Sequence, residues 1–194
     1  MTEGEYCGPV LFLVHPQTHI SGIEQISKQN QVRVIKALIM AGKKGIPVIY
    51  APVYDQEKKN TIFELLKEVP KKPTLIRIPQ ESIFEWSPAE IRAALKRKRI
   101  VPTEITLMGQ IRNICVTEAA IAARSAFPKI RIAILEGRST LFLPAGKSEV
   151  SKRVNISLRK WYRERIGKHG IDRTKKFRLS SIKPTTNRSQ RRLK

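Results

Sequence analysis

Acidic residues are scarce in this sequence: 16 Asp and Glu stand against 38 Lys and Arg over 194 residues, for a net charge of +22. A surplus of one sign repels itself unless a polyanion neutralises it, so nucleic acid is the first partner class the composition suggests. Cysteine is scarcer still. Cys7 and Cys115 are too few and too far apart for a disulfide framework or a four-cysteine zinc site, which points to a reducing compartment. Apolar runs are short as well. Val10 to Val14 and Pro47 to Val53 fall far below the roughly 18 residues needed to span a bilayer, so no membrane segment is expected. The first residues include Glu3 and Glu5, whereas cleavable organellar presequences are rich in Arg and poor in acids, so no targeting segment is expected either. Apolar residues nonetheless make up 41% of the chain, which argues against a wholly disordered basic protein. The length suits one α/β domain with a real core.

Strand-sized apolar runs recur at Val10 to Val14, Pro47 to Val53, Thr74 to Ile78, Ile105 to Met108 and Ile130 to Leu135. Each is nearly continuous in apolar character, as strands buried on both faces should be. Helical patterns alternate with them. Ile23, Ile26, Val34, Ile35, Leu38 and Ile39 follow three-to-four spacing, with Gly42 or Gly45 as a stop. Ser87, Pro88 and Glu90 form a capping box with proline at the first helical position, ahead of Ile91 and Leu95 on one face. Residues 115 to 126 are rich in alanine, which predicts a helix packed closely on a sheet. The alternation predicts a doubly wound, mainly parallel sheet whose ligand sites fall at the C-terminal ends of the strands.

The last quarter is where the charge concentrates: from Ser151 to Lys194 there are 16 Lys or Arg against only Glu164 and Asp172. Val150, Val154, Leu158 and Trp161 share one helical face, which predicts that Trp161 packs inward while the basic residues lie elsewhere on the helix. Lys176 to Ser180 reads as an edge strand after Gly167 and Gly170. The domain is drawn over residues 1–182, with a polar basic tail from Lys183 to Lys194.

Three segments together resemble the isochorismatase-like cysteine hydrolases, the superfamily that includes nicotinamidases. Leu11 to Gln17 reads LFLVHPQ, where the family usually has an apolar strand ending in DxQ, and His15 stands at the aspartate position. Ile76 to Phe84 reads IRIPQESIF and resembles the family's lysine-containing stretch, with Ile78 at the lysine position. Ile105 to Ala120 reads ITLMGQIRNICVTEAA and resembles the strand, glycine, nucleophile cysteine and helix, matching at Gly109, Cys115 and Val116. The resemblance spans about residues 8 to 182. In active relatives the aspartate is the base for the cysteine, the lysine supports that pair, and backbone amides hold the oxyanion. It also implies a non-proline cis peptide, which here would join Gln110 to Ile111.

Two of the three catalytic positions are therefore altered, which implies a pocket of His15, Ile78 and Cys115 that is vestigial, with no catalytic residues. A thiol of ordinary pKa is only a few per cent thiolate at neutral pH, so losing the base matters, although a histidine can activate a cysteine in its place. His15 and His19 are four apart, but Pro16 prevents a continuous helix, and Asp55 and Glu57 have no histidine between Tyr54 and Asn60. No metal and no cofactor are expected.

The charge directs the main functional expectation. The candidate RNA-binding residues are Lys96, Arg97, Lys98 and Arg99 at the end of the capped helix, then Lys152, Arg153, Arg159, Lys160, Arg163, Arg165 and Lys168 along the basic helix. Beyond it come Arg173, Lys175, Lys176, Arg178, Lys183, Arg188, Arg191, Arg192 and Lys194. Nothing resembles an RNA-recognition, KH, zinc-finger or P-loop signature, so binding would rest on charge and shape. The expectation is an inactive isochorismatase-like protein bound to RNA, with rRNA favoured, as a structural subunit of a large ribonucleoprotein. A mitochondrial ribosome is favoured as its location, on general grounds and not on any residue. The alternative is an active cysteine hydrolase of small amides using Cys115. A third reading is an adaptor for acidic proteins or anionic membranes.

Overall fold

The structure, a computed structural model, describes residues 5–16, 24–52, 65–78, 86–109, 112–136 and 149–175. Six parallel strands form one sheet: β1 (Tyr6–Val14), β2 (Val48–Ala51), β3 (Leu75–Arg77), β4 (Ile100–Gly109), β5 (Arg131–Leu135) and β6 (Asp172–Thr174), in the order β3-β2-β1-β4-β5-β6. The connections carry α1 (Glu24–Lys44), α2 (Pro88–Arg97), α3 (Thr117–Ala126) and α4 (Glu149–Lys168). This is the doubly wound α/β architecture that the alternating pattern predicts.

Both faces of the sheet are buried, and β1 shows why. Val10, Phe12 and Val14 belong to one apolar cluster with Ile91 and Leu95 of α2, the alanines of α3, and Tyr162 and Ile166 of α4. Leu11 and Leu13 belong to another with Val34, Ala37, Leu38 and Ala41 of α1. Alternate side chains of a strand point to opposite faces, so a strand covered on both sides must be apolar throughout. Each fully buried leucine, isoleucine or phenylalanine contributes roughly 1.5–3 kcal/mol. Among the described residues, no helix is long and apolar enough to cross a membrane.

Local rules account for the ends of α2. Ser87 Oγ accepts from the Glu90 backbone N–H at 3.3 Å, and Pro88 opens the helix. Lys96 and Arg97 fill the last turn, where cations complement the helix dipole, and Arg99 follows with φ 52. Its N–H donates to the Lys96 carbonyl at 3.0 Å, and its own carbonyl accepts from the Tyr6 N–H at 3.0 Å to start the β1–β4 pairing. The basic run is thus a helix stop and a strand start. Since a left-handed backbone strains any residue with a Cβ, Arg99→Gly is expected to raise stability by about 0.5 kcal/mol, read as a shift of the urea midpoint at constant slope.

One sequence expectation is corrected here. Trp161 does not pack inward; it is 40% exposed, and the buried stripe of α4 runs through Tyr162 and Ile166, one residue further round the helix. Tyr162 can be buried because its hydroxyl donates to Glu136 Oε1 at 3.1 Å, whereas Trp161 lies against the Arg165 guanidinium, 5.3 Å from the ring centroid. The final described strand is the polar Asp172–Thr174; the expected strand at 176–180 lies outside the described residues, as do the domain boundary at 182 and the tail. β6 is pinned by charge, with Arg131 Nε bonded to Asp172 at 2.6 Å and Arg173 bound through two nitrogens to Glu136 at 2.7 and 3.0 Å.

Candidate active site

The strand order reverses between β1 and β4. Going outward from that pair, successive strands run β2, β3 on one side and β5, β6 on the other. Crossovers leave the C-terminal ends of such a pair on opposite faces, which opens a crevice there. His15 directly follows β1, and Cys115 follows β4 after a short connection, so the topology brings both to this end of the sheet. Ile78 directly follows β3 at the same end.

β1 and β4 close tightly at the crevice. Val14 lies opposite Gly109, whose φ is 144 and whose missing side chain would overlap the Val14 carbonyl. The next residue of β1's exit, His15, takes φ 50, holds the Ala51 carbonyl through its N–H at 2.9 Å, and is 2% exposed. A buried histidine in left-handed backbone is locally strained, a feature that concentrates at functional sites. Its ring stacks on Trp86, with centroids 6.2 Å apart and 29° between planes, and Trp86 meets Phe12 edge-on at 5.6 Å. Trp86 is a member of the site that sequence reasoning missed. Its position just before the capping box, where an apolar residue packs back on the helix, was the available signal. The indole Nε1 is buried with no hydrogen-bond partner among the described residues.

Cys115 occupies a wide π-helical turn, Arg112–Val116, that leads directly into α3. Such turns are rare and frequent at functional sites. The residue is 2% exposed and shares an apolar cluster with Ile78, Val14 and Ala51. Burial pushes its thiol up to about 11, its own backbone N–H works in the opposite direction, and the carboxylate of Glu118 raises it further. A rise of about two units corresponds to roughly 3 kcal/mol against the thiolate, more than the roughly 0.3–1 kcal/mol an exposed helix N-terminus returns. The resting thiol is protonated. Ile78 is 2% exposed and brings no charge to offset that burial. The expected cis bond between Gln110 and Ile111 lies outside the described residues. Among the described residues no group of three or more His, Cys, Asp or Glu side chains could hold a metal ion.

No family model and no curated protein matches the sequence. Solved structures do. The YcaC gene product of Escherichia coli, an octameric hydrolase of unknown specificity, superposes with a TM-score of 0.55 at 15% identity, over 86% of this chain and 74% of its own. The fold is that of the isochorismatase-like hydrolases. The nicotinamidase of Staphylococcus aureus matches with a TM-score of 0.54 at 13% identity, over 88% of this chain and 100% of its own. N-carbamoylsarcosine amidase from Thermoplasma acidophilum gives 0.52 at 16%, over 89% and 99%.

These likenesses overturn the expectation of an RNA-bound structural subunit of a ribosome. These three proteins, which share the isochorismatase-like architecture, are a hydrolase, a nicotinamidase and an amidase. The basic residues that prompted the expectation are spread over separate elements. Lys96, Arg97, Lys98 and Arg99 are exposed at the end of α2; Arg153, Arg159, Lys160, Arg163 and Lys168 are exposed on α4, and Lys175 follows β6. Several are engaged internally, Arg165 with Glu118, Arg173 with Glu136 and Lys160 with Glu164. The Lys152 side chain and Lys176, Arg178, Lys183, Arg188, Arg191, Arg192 and Lys194 lie outside the described residues.

Proposed function

We propose that this isochorismatase-like protein is a cysteine hydrolase of small amides, with Cys115 as nucleophile and His15 as the base in place of the family's aspartate. The observation that carries the reading is the placement of His15 and Cys115 after the two adjacent strands at which the sheet order reverses. Its chemical class follows the amidase names of two neighbours of the same fold. Sγ attacks the amide carbonyl carbon as its proton passes to the imidazole; the C–N bond then breaks, and the imidazolium returns the proton to the departing amine. Water hydrolyses the thioester, giving the acid and restoring the thiol. The N-terminal amides of the helical turn supply donors for the oxyanion. With burial pushing the thiol up to about 11, attack depends on transfer of its proton to His15 rather than on a standing thiolate.

A catalytically silent domain is the second reading, favoured by Ile78 at the position of the family's lysine and by the raised thiol. One experiment separates the two. Ammonia release is followed over a panel of small primary amides for the unaltered protein, Cys115→Ala and His15→Gly, the last keeping the positive φ free of strain. Turnover abolished by Cys115→Ala and lowered about 10²–10⁴-fold by His15→Gly supports the hydrolase. Absence of turnover across the panel, with no thioester adduct on Cys115 by intact mass, establishes the silent reading.

A further inference from the structure

We propose that Arg165 is a positioning residue for the candidate nucleophile, acting through Glu118 to keep a carboxylate from suppressing the reactivity of Cys115. The proposal rests on Cys115 as the reactive group, but its test reads the thiol directly. Glu118 lies three residues beyond Cys115, where the π-helical turn runs into the first turn of α3, close enough for its carboxylate to act on the thiol. Arg165 reaches it from α4, with Nη2 2.7 Å from Oε1 and 2.9 Å from Oε2. The Glu118 side chain is 24% exposed and that of Arg165 37%, so solvent only partly screens the pair.

Glu118 has opposing effects. A carboxylate in the first turn of a helix complements the dipole, yet it opposes formation of a second anion close by. The ion pair with Arg165 preserves the first effect and cancels much of the second. The guanidinium is itself held, lying over the Trp161 ring, so its placement is defined by packing as well as by charge. This gives the exposed Trp161 a purpose that core packing does not. Among the described residues, the charged or titratable groups placed around the Cys115 turn include Glu118 on α3, Arg165 on α4, which is paired with Glu118, and His15 after β1. The Tyr162 hydroxyl is bonded to Glu136, and the end of β4, Met108 and Gly109, contributes no charge.

The test is the pH dependence of Cys115 alkylation by iodoacetamide in a Cys7→Ser background, with the adduct located by peptide mass. Arg165→Met is expected to slow alkylation about tenfold at a given pH, shifting the profile upward by about one unit, and Arg165→Lys to restore most of the rate. Glu118→Gln should shift the profile downward, and adding Arg165→Met to it should produce no further slowing. Coincident profiles for the folded Arg165→Met and unaltered proteins would overturn the proposal, as would an Arg165→Met effect that persists without Glu118. If Glu118→Gln does not fold, the Met and Lys variants of Arg165 still decide it, because only a charge-dependent effect is rescued by lysine. A protein without amide turnover would fail the hydrolase reading while leaving these alkylation profiles to judge the ion pair.

Discussion

Arg131→Met is expected to destabilise the protein by about 3–5 kcal/mol, measured by urea denaturation. The size follows from what the substitution leaves behind. Glu104 on β4 is 8% exposed, and its Oε1 accepts from Arg131 Nη1 at 2.7 Å and from Thr106 Oγ1 at 2.9 Å. Register places Glu104 and Arg131 directly opposite each other on neighbouring strands, and the same guanidinium continues to Asp172 on β6. Removing it strands a buried carboxylate on one side and frees the edge strand on the other. Burial works against its charge, but the hydrogen bonds and charges of Asp172 and Glu104 outweigh that and hold the guanidinium above its ordinary pKa, so the arginine side of the interaction stays charged. The companion Glu104→Gln with Arg131→Met should recover a large part of the loss, because the remaining amide is uncharged. A loss below 1 kcal/mol for Arg131→Met would show that solvent replaces the arginine at little cost.

Gly109→Ala should be as damaging, at roughly 4 kcal/mol or more, and should also disturb the candidate site. A methyl group there would overlap the Val14 carbonyl, and backbone on both sides leaves no flexible side chain to yield. The positive φ of 144 adds strain of its own. Gly45→Ala is the internal control. Gly45 has φ 66 but nothing within 4 Å of an added Cβ, so it bears the conformational cost without the collision and should lose only about 1–2 kcal/mol. Equal losses at the two positions would place the whole effect in the backbone conformation.

Much of the isochorismatase-like architecture was legible because buried parallel strands advertise themselves as short apolar runs. The segments around Val10, Val48, Ile76, Ile105 and Ile132 all form strands, and the capping box at Ser87 starts its helix. What escaped were elements held by something other than apolar burial. β1 begins at Tyr6, earlier than its apolar run, through a stretch with a register shift at Gly8 and Pro9. Pro9 precedes the residues that pair with β2, so its missing N–H is tolerated there. β6 reads Asp-Arg-Thr and has no hydrophobic signal; two arginine–carboxylate contacts hold it. His15 and Cys115 were identifiable by resemblance, but Trp86 was not, because its role depends on the fold bringing it beside His15. Composition misled most where it was most one-sided: a net charge of +22 speaks to solubility and non-specific association, not to fold, and the fold is one shared with hydrolases and amidases.

The position of β1 between β2 and β4 also sets an order of assembly. β1, α1, β2 and β3 are contiguous in the chain, so their pairing closes comparatively short loops; the pairing of Val14 with Gly109 must close a far longer one. Loop closure grows more costly with length, and contacts distant in sequence slow folding. The first half-sheet can therefore organise while the second is still being synthesised, but the crevice cannot exist until β4 docks. Burial of Cys115 then serves as a clock: in pulse-labelling during refolding, its protection from thiol reagents should lag the formation of β1–β2 and mark the moment at which the two halves become one molecule.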